Sequence, residues 1–189
     1  MSALSPSIII EFCKLCDWAH ESWITRKIIF DDNSNIENLM KGDCGYFLER
    51  LSKITHEYAL LQLIKLHDPS VQRKSVNLSI DYVIRFGGWD KKTTDSLVIL
   101  SSDMEGRLAQ SVKSARNKII THNDIEAILN GSPLGSFDLN ADLEYFNKLQ
   151  EFVNIVHEKS IGRPFPFNNS AQNDAQVFKN ILNSTLKEA

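Results

Sequence analysis

No stretch of the chain stays apolar for the roughly 20 residues a membrane-crossing helix needs. The N-terminus also lacks the basic, apolar and small-residue succession of a secretory leader, so a cytoplasmic protein with no membrane partner is expected. Cysteine is scarce, at three residues, Cys13, Cys16 and Cys44. Cys13 and Cys16 form a CxxC, the spacing of a redox pair or of half a zinc site. Glu11 to Trp18 reads as helix, however, and no second paired ligand set follows, so reduced, buried or half-buried thiols are expected and no disulfide. Strand signals are almost missing: Ile8-Ile9-Ile10 and Ile28-Ile29-Phe30 are the β-rich triplets, and both sit inside helical periods. Gly87-Gly88 and the stretch Gly131 to Gly135 lack the strand-before, helix-after setting of a phosphate-cradling loop. His20, His56 and His157 stand apart from any second ligand in sequence. Neither a metal nor a cofactor is expected.

What the chain has is helical periodicity. With 42% apolar and 24% charged residues over 189 positions, it has the composition of one globular domain with a sizeable core. Ser5-Pro6 reads as an N-cap and first helical position, and Ile9, Phe12, Cys16, Trp23 and Ile24 continue a helix to about Phe30. Asp31 to Ser34 ends it. A second helical region, with a break around Gly42 to Gly45, runs through Phe47, Leu51, Ile54, Tyr58 and Leu61 to His67-Asp68-Pro69, and the two read as a hairpin. Trp18 and Trp23, five apart, read as core or dimer-face residues and not as a base-stacking pair; His67 reads as a helix-end cation more than as a residue polarised by Asp68.

After a polar loop, Asn77-Leu78-Ser79 opens a short helix closed by left-handed glycine near Phe86-Gly87-Gly88. The longest candidate then runs from Thr93 or Thr94 to His122, with Leu97, Leu100, Met104, Leu108, Val112, Ala115 and Ile119 on one stripe. Asn130 to Gly135 is a loop, and further helices fit Asn140 to Lys159 and Ser170 to about Lys187. The expected fold is an all-α helical bundle of about five to six helices.

Net charge is −3, against a surface that binds nucleic acid everywhere. From Gly106 to His122, though, there is no acidic residue, while Arg107, Lys113, Arg116 and Lys118 are basic. That run reads as a solvated helix face or as a local phosphate-attracting patch. At its end stands Arg116-Asn117-Lys118-Ile119-Ile120-Thr121-His122, followed by Asp124. Arginine supplies a permanent, forked, phosphate-matching cation. Histidine exchanges a proton near neutral pH in either direction. Together they supply what RNA phosphodiester cleavage needs, and neither requires a metal.

Arg116 and His122, with Asn117 directly after the arginine and the pair closing a long helix of an all-α chain, resemble the signature of the HEPN superfamily of helical ribonucleases. The chain looks closest to the HEPN-like domain of an abortive-infection, phage-resistance family, on Lys65 to Pro69, Asn77 to Ile80 and Arg116 to Asp124. The resembling core covers about 20–160 of a single helical domain, with a C-terminal helical extension. The resemblance implies a homodimer with two arginines and two histidines around one cleft, RNA as substrate, and room for an antitoxin protein as partner. It makes Arg116, Asn117 and His122 the catalytic candidates, with Lys113, Lys118 and Asp124 beside them as substrate-binding candidates. In one branch of the superfamily a tyrosine two residues after the histidine accepts a nucleotide; here that position is Asp124.

Helix geometry points to the dimer independently. Six residues turn an α-helix through about 600°, leaving Arg116 and His122 roughly 120° apart and ~9 Å along the axis. Either His122 lies past the helix end and turns back, or a partner chain completes the pair. The favoured reading is a metal-independent endoribonuclease of a toxin–antitoxin or phage-defence system. The competing one is a non-catalytic helical module that binds RNA or a protein.

Overall fold

A computed structural model of the chain describes residues 4–111, 137 and 140–187. The fold is all-α. Among the described residues the helices are α1 (Pro6–Arg26), α2 (Ile36–Lys41), α3 (Gly45–Leu66), α4 (Ile80–Phe86), α5 (Lys91–Ser111), α6 (Ala141–Ile161) and α7 (Ser170–Ser184). A two-stranded ribbon, β1 (Val71–Gln72) and β2 (Ser75–Val76), joins α3 to α4. The chain divides into two compact units, Met1–Cys16 with Leu63–Phe167, and Asp17–Gln62 with Asn168–Ala189.

In the first unit, α5 and α6 pack together. Leu97, Leu100, Met104 and Leu108 of α5 are buried, as are Tyr145, Leu149, Phe152, Val153 and Val156 of α6. These are the residues that recur at helical spacing, so the stripe seen in the sequence is core as far as Leu108; its continuation through Val112, Ala115 and Ile119 lies outside the described residues. Ion pairs join the two helices in antiparallel order, Asp103 with Lys148 at 3.5 Å and Arg107 with Glu144. Lys159 also reaches Asp90, just before α5, at 3.3 Å. Phe12 of α1 meets Phe152 with ring centroids 5.9 Å apart.

Helix starts and stops follow local chemistry. Asp90 caps α5, its carboxylate accepting from the Thr93 N–H at 2.8 Å and the Thr93 hydroxyl at 3.0 Å, which moves the helix start back from the expected Thr93 or Thr94 to Lys91. Ser79 caps α4 by accepting from the Tyr82 N–H at 3.3 Å. At the other end of α4, Gly87 keeps a right-handed conformation with φ −69°, and the left-handed residue is Gly88 at φ 69°. Gly87 is needed for a different reason: a Cβ there would stand 2.1 Å from the Trp89 indole, which folds back to donate to the Val83 carbonyl at 2.8 Å.

The second unit holds the break expected between the helices at Gly42 to Gly45. A Cβ on Gly45 would lie 1.9 Å from the Met40 carbonyl oxygen, so only glycine lets α3 start so close to α2. Trp18 and Tyr58 join the α1 and α3 segments of this unit through an indole N–H to hydroxyl bond of 2.9 Å, and Trp23 packs on the His56 ring.

The expected first helix, to about Phe30, changes character before its end. Lys27–Asp31 forms a π-helical turn, with the Asp32 N–H donating to the Lys27 carbonyl at 2.8 Å. Ile28, Ile29 and Phe30 are all buried and form a core with Ala175. The wider turn brings positions five apart together, and Arg26 forms a two-pronged ion pair with Asp31 across it.

Candidate functional site

Arg116, Asn117 and His122, and with them Lys113, Lys118 and Asp124, lie outside the described residues, in sequence between the end of α5 at Ser111 and Phe137. The described flanks define what leads up to them. Arg107, counted with the basic run in the sequence, is engaged by Glu144. Its charge is matched across α5 and α6, as that of a structural helix-face residue is, and the phosphate-attracting reading narrows to Lys113, Arg116 and Lys118.

Aromatic packing supports α6 opposite the end of α5. Tyr145 is fully buried, with the Phe137 ring at 5.4 Å, the Phe146 ring edge-on at 5.2 Å, and the His67 ring at 5.8 Å. His67 Nε2 and the Tyr145 hydroxyl share a hydrogen bond of 2.8 Å. Burial holds that hydroxyl well above the usual tyrosine range, and the nearby Cys16 thiol adds to the shift, so Tyr145 stays neutral. His67 does stand directly after the end of α3, and its ring also makes a half-buried polar contact 78 residues away in sequence. No local signal could have revealed that pairing.

The CxxC thiols are both buried, and burial pushes the Cys13 thiol up to about 12, leaving it without thiolate character at neutral pH. Cys44 is exposed. Among the described residues no group of three His, Cys, Asp or Glu side chains could hold a metal ion. Nor is any described helix long and apolar enough to cross a membrane.

Two described features offer binding chemistry. In the second unit, a cavity of about 390 Å³ is lined by residues that include Trp18, Ile54, Tyr58, Glu21 and Arg26. Trp23 is buried, so the two tryptophans divide between a core role and a cavity wall. In the first unit, the β1–β2 ribbon presents Arg73 and Lys74 at its turn. In sequence that stretch reads as a polar loop, because Arg-Lys carries none of the Asn-Gly or Gly-X chemistry that marks a two-residue hairpin.

A second tertiary device also escaped the sequence. After α6, the run Pro164-Phe165-Pro166-Phe167 has backbone N–H groups only at its phenylalanines. Asn154 accepts from the Phe165 N–H at 3.1 Å, and Gln150 accepts from the Phe167 N–H and donates to the Phe165 carbonyl, both at 2.8 Å. One side of α6 thus satisfies the backbone of the loop that follows it.

The HEPN AbiU2 family model, described as AbiU2, matches residues 7–181. The chain belongs to this family. It is a HEPN-like domain of the abortive-infection AbiU2 family, and the AbiU2 match is wider than the stretch that carries the resembling motifs, reaching into both α1 and α7. It also takes in Arg116 to Asp124. No curated protein and no solved structure matches the chain.

Proposed function

We propose that this AbiU2-family chain is a metal-independent endoribonuclease acting as a dimer. The observation that carries the reading is that the family match over residues 7–181 contains Arg116, Asn117 and His122 at the arginine-to-histidine spacing of the HEPN signature. In the proposed reaction the ribose 2′-hydroxyl attacks the adjacent phosphorus, the new 2′-O–P bond replaces the P–O5′ bond, and a 2′,3′-cyclic phosphate and a 5′-hydroxyl result. His122 of one protomer takes the 2′-hydroxyl proton, and His122 of the other returns a proton to the leaving 5′-oxygen. Arg116 offsets the charge that builds on the phosphorane through two parallel hydrogen bonds, and Asn117 orients the phosphate. Lys113, Lys118 and Asp124 fix the strand beside the scissile bond. DNA, which lacks the nucleophile, is left intact.

The test is incubation of the purified protein with total tRNA and with mRNA in EDTA, with product ends identified as cyclic phosphate and 5′-hydroxyl. The His122→Ala variant is expected to lose at least ~10² to 10⁴ of the rate, the contribution of a general acid or base. Wild-type cleavage by the alanine variant would end the mechanism. Binding of RNA without cleavage by the unaltered protein would favour a non-catalytic module.

A further inference from the structure

The β1–β2 ribbon is the feature of the described residues whose chemistry the reading above leaves unused. Val71 pairs with Val76 and Gln72 with Ser75, so Arg73 and Lys74 form the two-residue turn. All six residues are exposed, the two valines at 53% and 65%. The ribbon is also firmly based. The Ser70 N–H donates to the Asp81 carboxylate at 2.9 Å, the Asn77 N–H donates to the Ser70 carbonyl at 2.9 Å, and the Asn77 amide donates to the Pro69 carbonyl at 2.9 Å. Burial pushes the Asp81 carboxyl up, but the Ser70 hydrogen bonds and the Arg85 ion pair outweigh it and hold the group below the usual carboxylate range. Asp81 is therefore charged at neutral pH and secures the base of the ribbon.

The turn residue is itself unusual. Arg73 has φ 57°, the left-handed conformation that glycine adopts at least cost. A two-residue turn left-handed at its first position favours Gly-X, yet this chain places a guanidinium there. Backbone strain accepted in order to present a charge is the kind of outlier that points to binding. From Pro69 to Ile80 the sequence holds no acidic residue, and among the described residues neither Arg73 nor Lys74 has a carboxylate ion-pair partner. An open concavity of about 700 Å³ is lined by Gln72, Arg73, Lys74, Ser75 and Asn77: two cations with two amides and one hydroxyl, and no apolar or acidic side chain.

We propose that the β1–β2 turn is a contact for the phosphate–ribose backbone of RNA, with Arg73 and Lys74 on consecutive phosphates and Gln72, Ser75 and Asn77 on ribose hydroxyls and phosphate oxygens. The proposal rests on the part of the proposed function that makes RNA the ligand, not on its cleavage. Two cations on a fixed, solvent-exposed ribbon match the spaced charges of a single strand, and the neutral amide and hydroxyl lining suits its sugar edges. An acidic polypeptide would share the cations but not the use of that lining.

The test uses a short fluorescein-labelled 2′-O-methyl RNA, which has no nucleophile and stays uncut, titrated over a range of salt. The variant Arg73→Gly with Lys74→Ser removes both charges while installing the turn residues that the backbone favours, so the fold is expected to be retained; circular dichroism checks this. Losing two phosphate contacts should flatten the log–log salt slope by about 1.4 and weaken binding about 25-fold at 0.1 M salt. A folded variant with wild-type affinity and slope overturns the proposal, and so does a wild-type protein that fails to bind the RNA. If the variant keeps RNA binding but loses poly-glutamate binding, the partner is an acidic polypeptide and the proposal is wrong. Turn-dependent RNA binding by a protein that cuts no RNA would instead sink the ribonuclease reading and leave this contact standing.

Discussion

Helices α6 and α7 are both amphipathic, yet they differ sharply in what they bury. α6 buries Tyr145, Phe146, Leu149, Phe152, Val153 and Val156 in the first unit, and adds the polar contacts of Tyr145, Gln150 and Asn154. α7 buries Ala175 alone, while Val177, Phe178 and Ile181 are exposed. A helical period therefore reports that a helix exists, but the depth of its burial depends on how many neighbours supply apolar surface. The contrast assigns stability to α6 and leaves α7 as a surface element.

The largest test of this contrast pairs two phenylalanines. Phe152→Ala should cost about 3–5 kcal/mol because it empties a fully buried site, whereas Phe178→Ala should change stability by no more than about 0.5 kcal/mol. Urea denaturation of both variants checks it; equal losses would break the distinction. A smaller effect is expected from Tyr145→Phe, which keeps the ring and removes its hydroxyl. It removes the 2.8 Å bond to the half-buried His67 Nε2, a loss of about 0.5–1.5 kcal/mol, the net contribution of one hydrogen bond. Wild-type stability in that variant would show the contact to be incidental.

The smallest expected effect sharpens the comparison from the second unit, through acid. Burial pulls the His20 pKa below its ordinary 6.5, and the charge of Asp17 only partly restores it. The unfolded chain then binds this proton more readily than the folded one. Stability should fall as pH drops below about 6.5 and level off below the lowered folded value. Thermal melts between pH 7.5 and 5.5 should show a shallower acid slope for His20→Gln than for the wild type, and an unchanged slope would remove His20 as the cause.

Much of the fold was legible because helix formation writes a period into the chain. Pro6, Ser79 and the Gly42 to Gly45 break also marked boundaries through local chemistry. The π-helical turn was not legible, since Ile28-Ile29-Phe30 continues an α period equally well and only packing against Ala175 rewards burying all three. The ribbon was hidden because its turn residues are those a hairpin usually avoids. The His67–Tyr145 bond and the amide clamp on Phe165 and Phe167 join residues whose sequence separation conveys nothing. For the site, the residue types and spacing of Arg116, Asn117 and His122 were readable and lie within the family match, while the partners they would need belong to three dimensions.

The ion pairs between α5 and α6 act as a vernier. Individually, exposed pairs of this kind contribute about 0–1 kcal/mol, too little to hold two helices together. Their order of sign does something else. With Asp103 facing Lys148 and Arg107 facing Glu144, a slip of α6 by one turn sets Lys148 against Arg107, and a slip the other way sets Glu144 against Asp103. Like charges meet at either neighbouring stop. One axial setting is singled out, and the last described residue of α5, Ser111, is indexed to α6 before the chain continues toward Arg116.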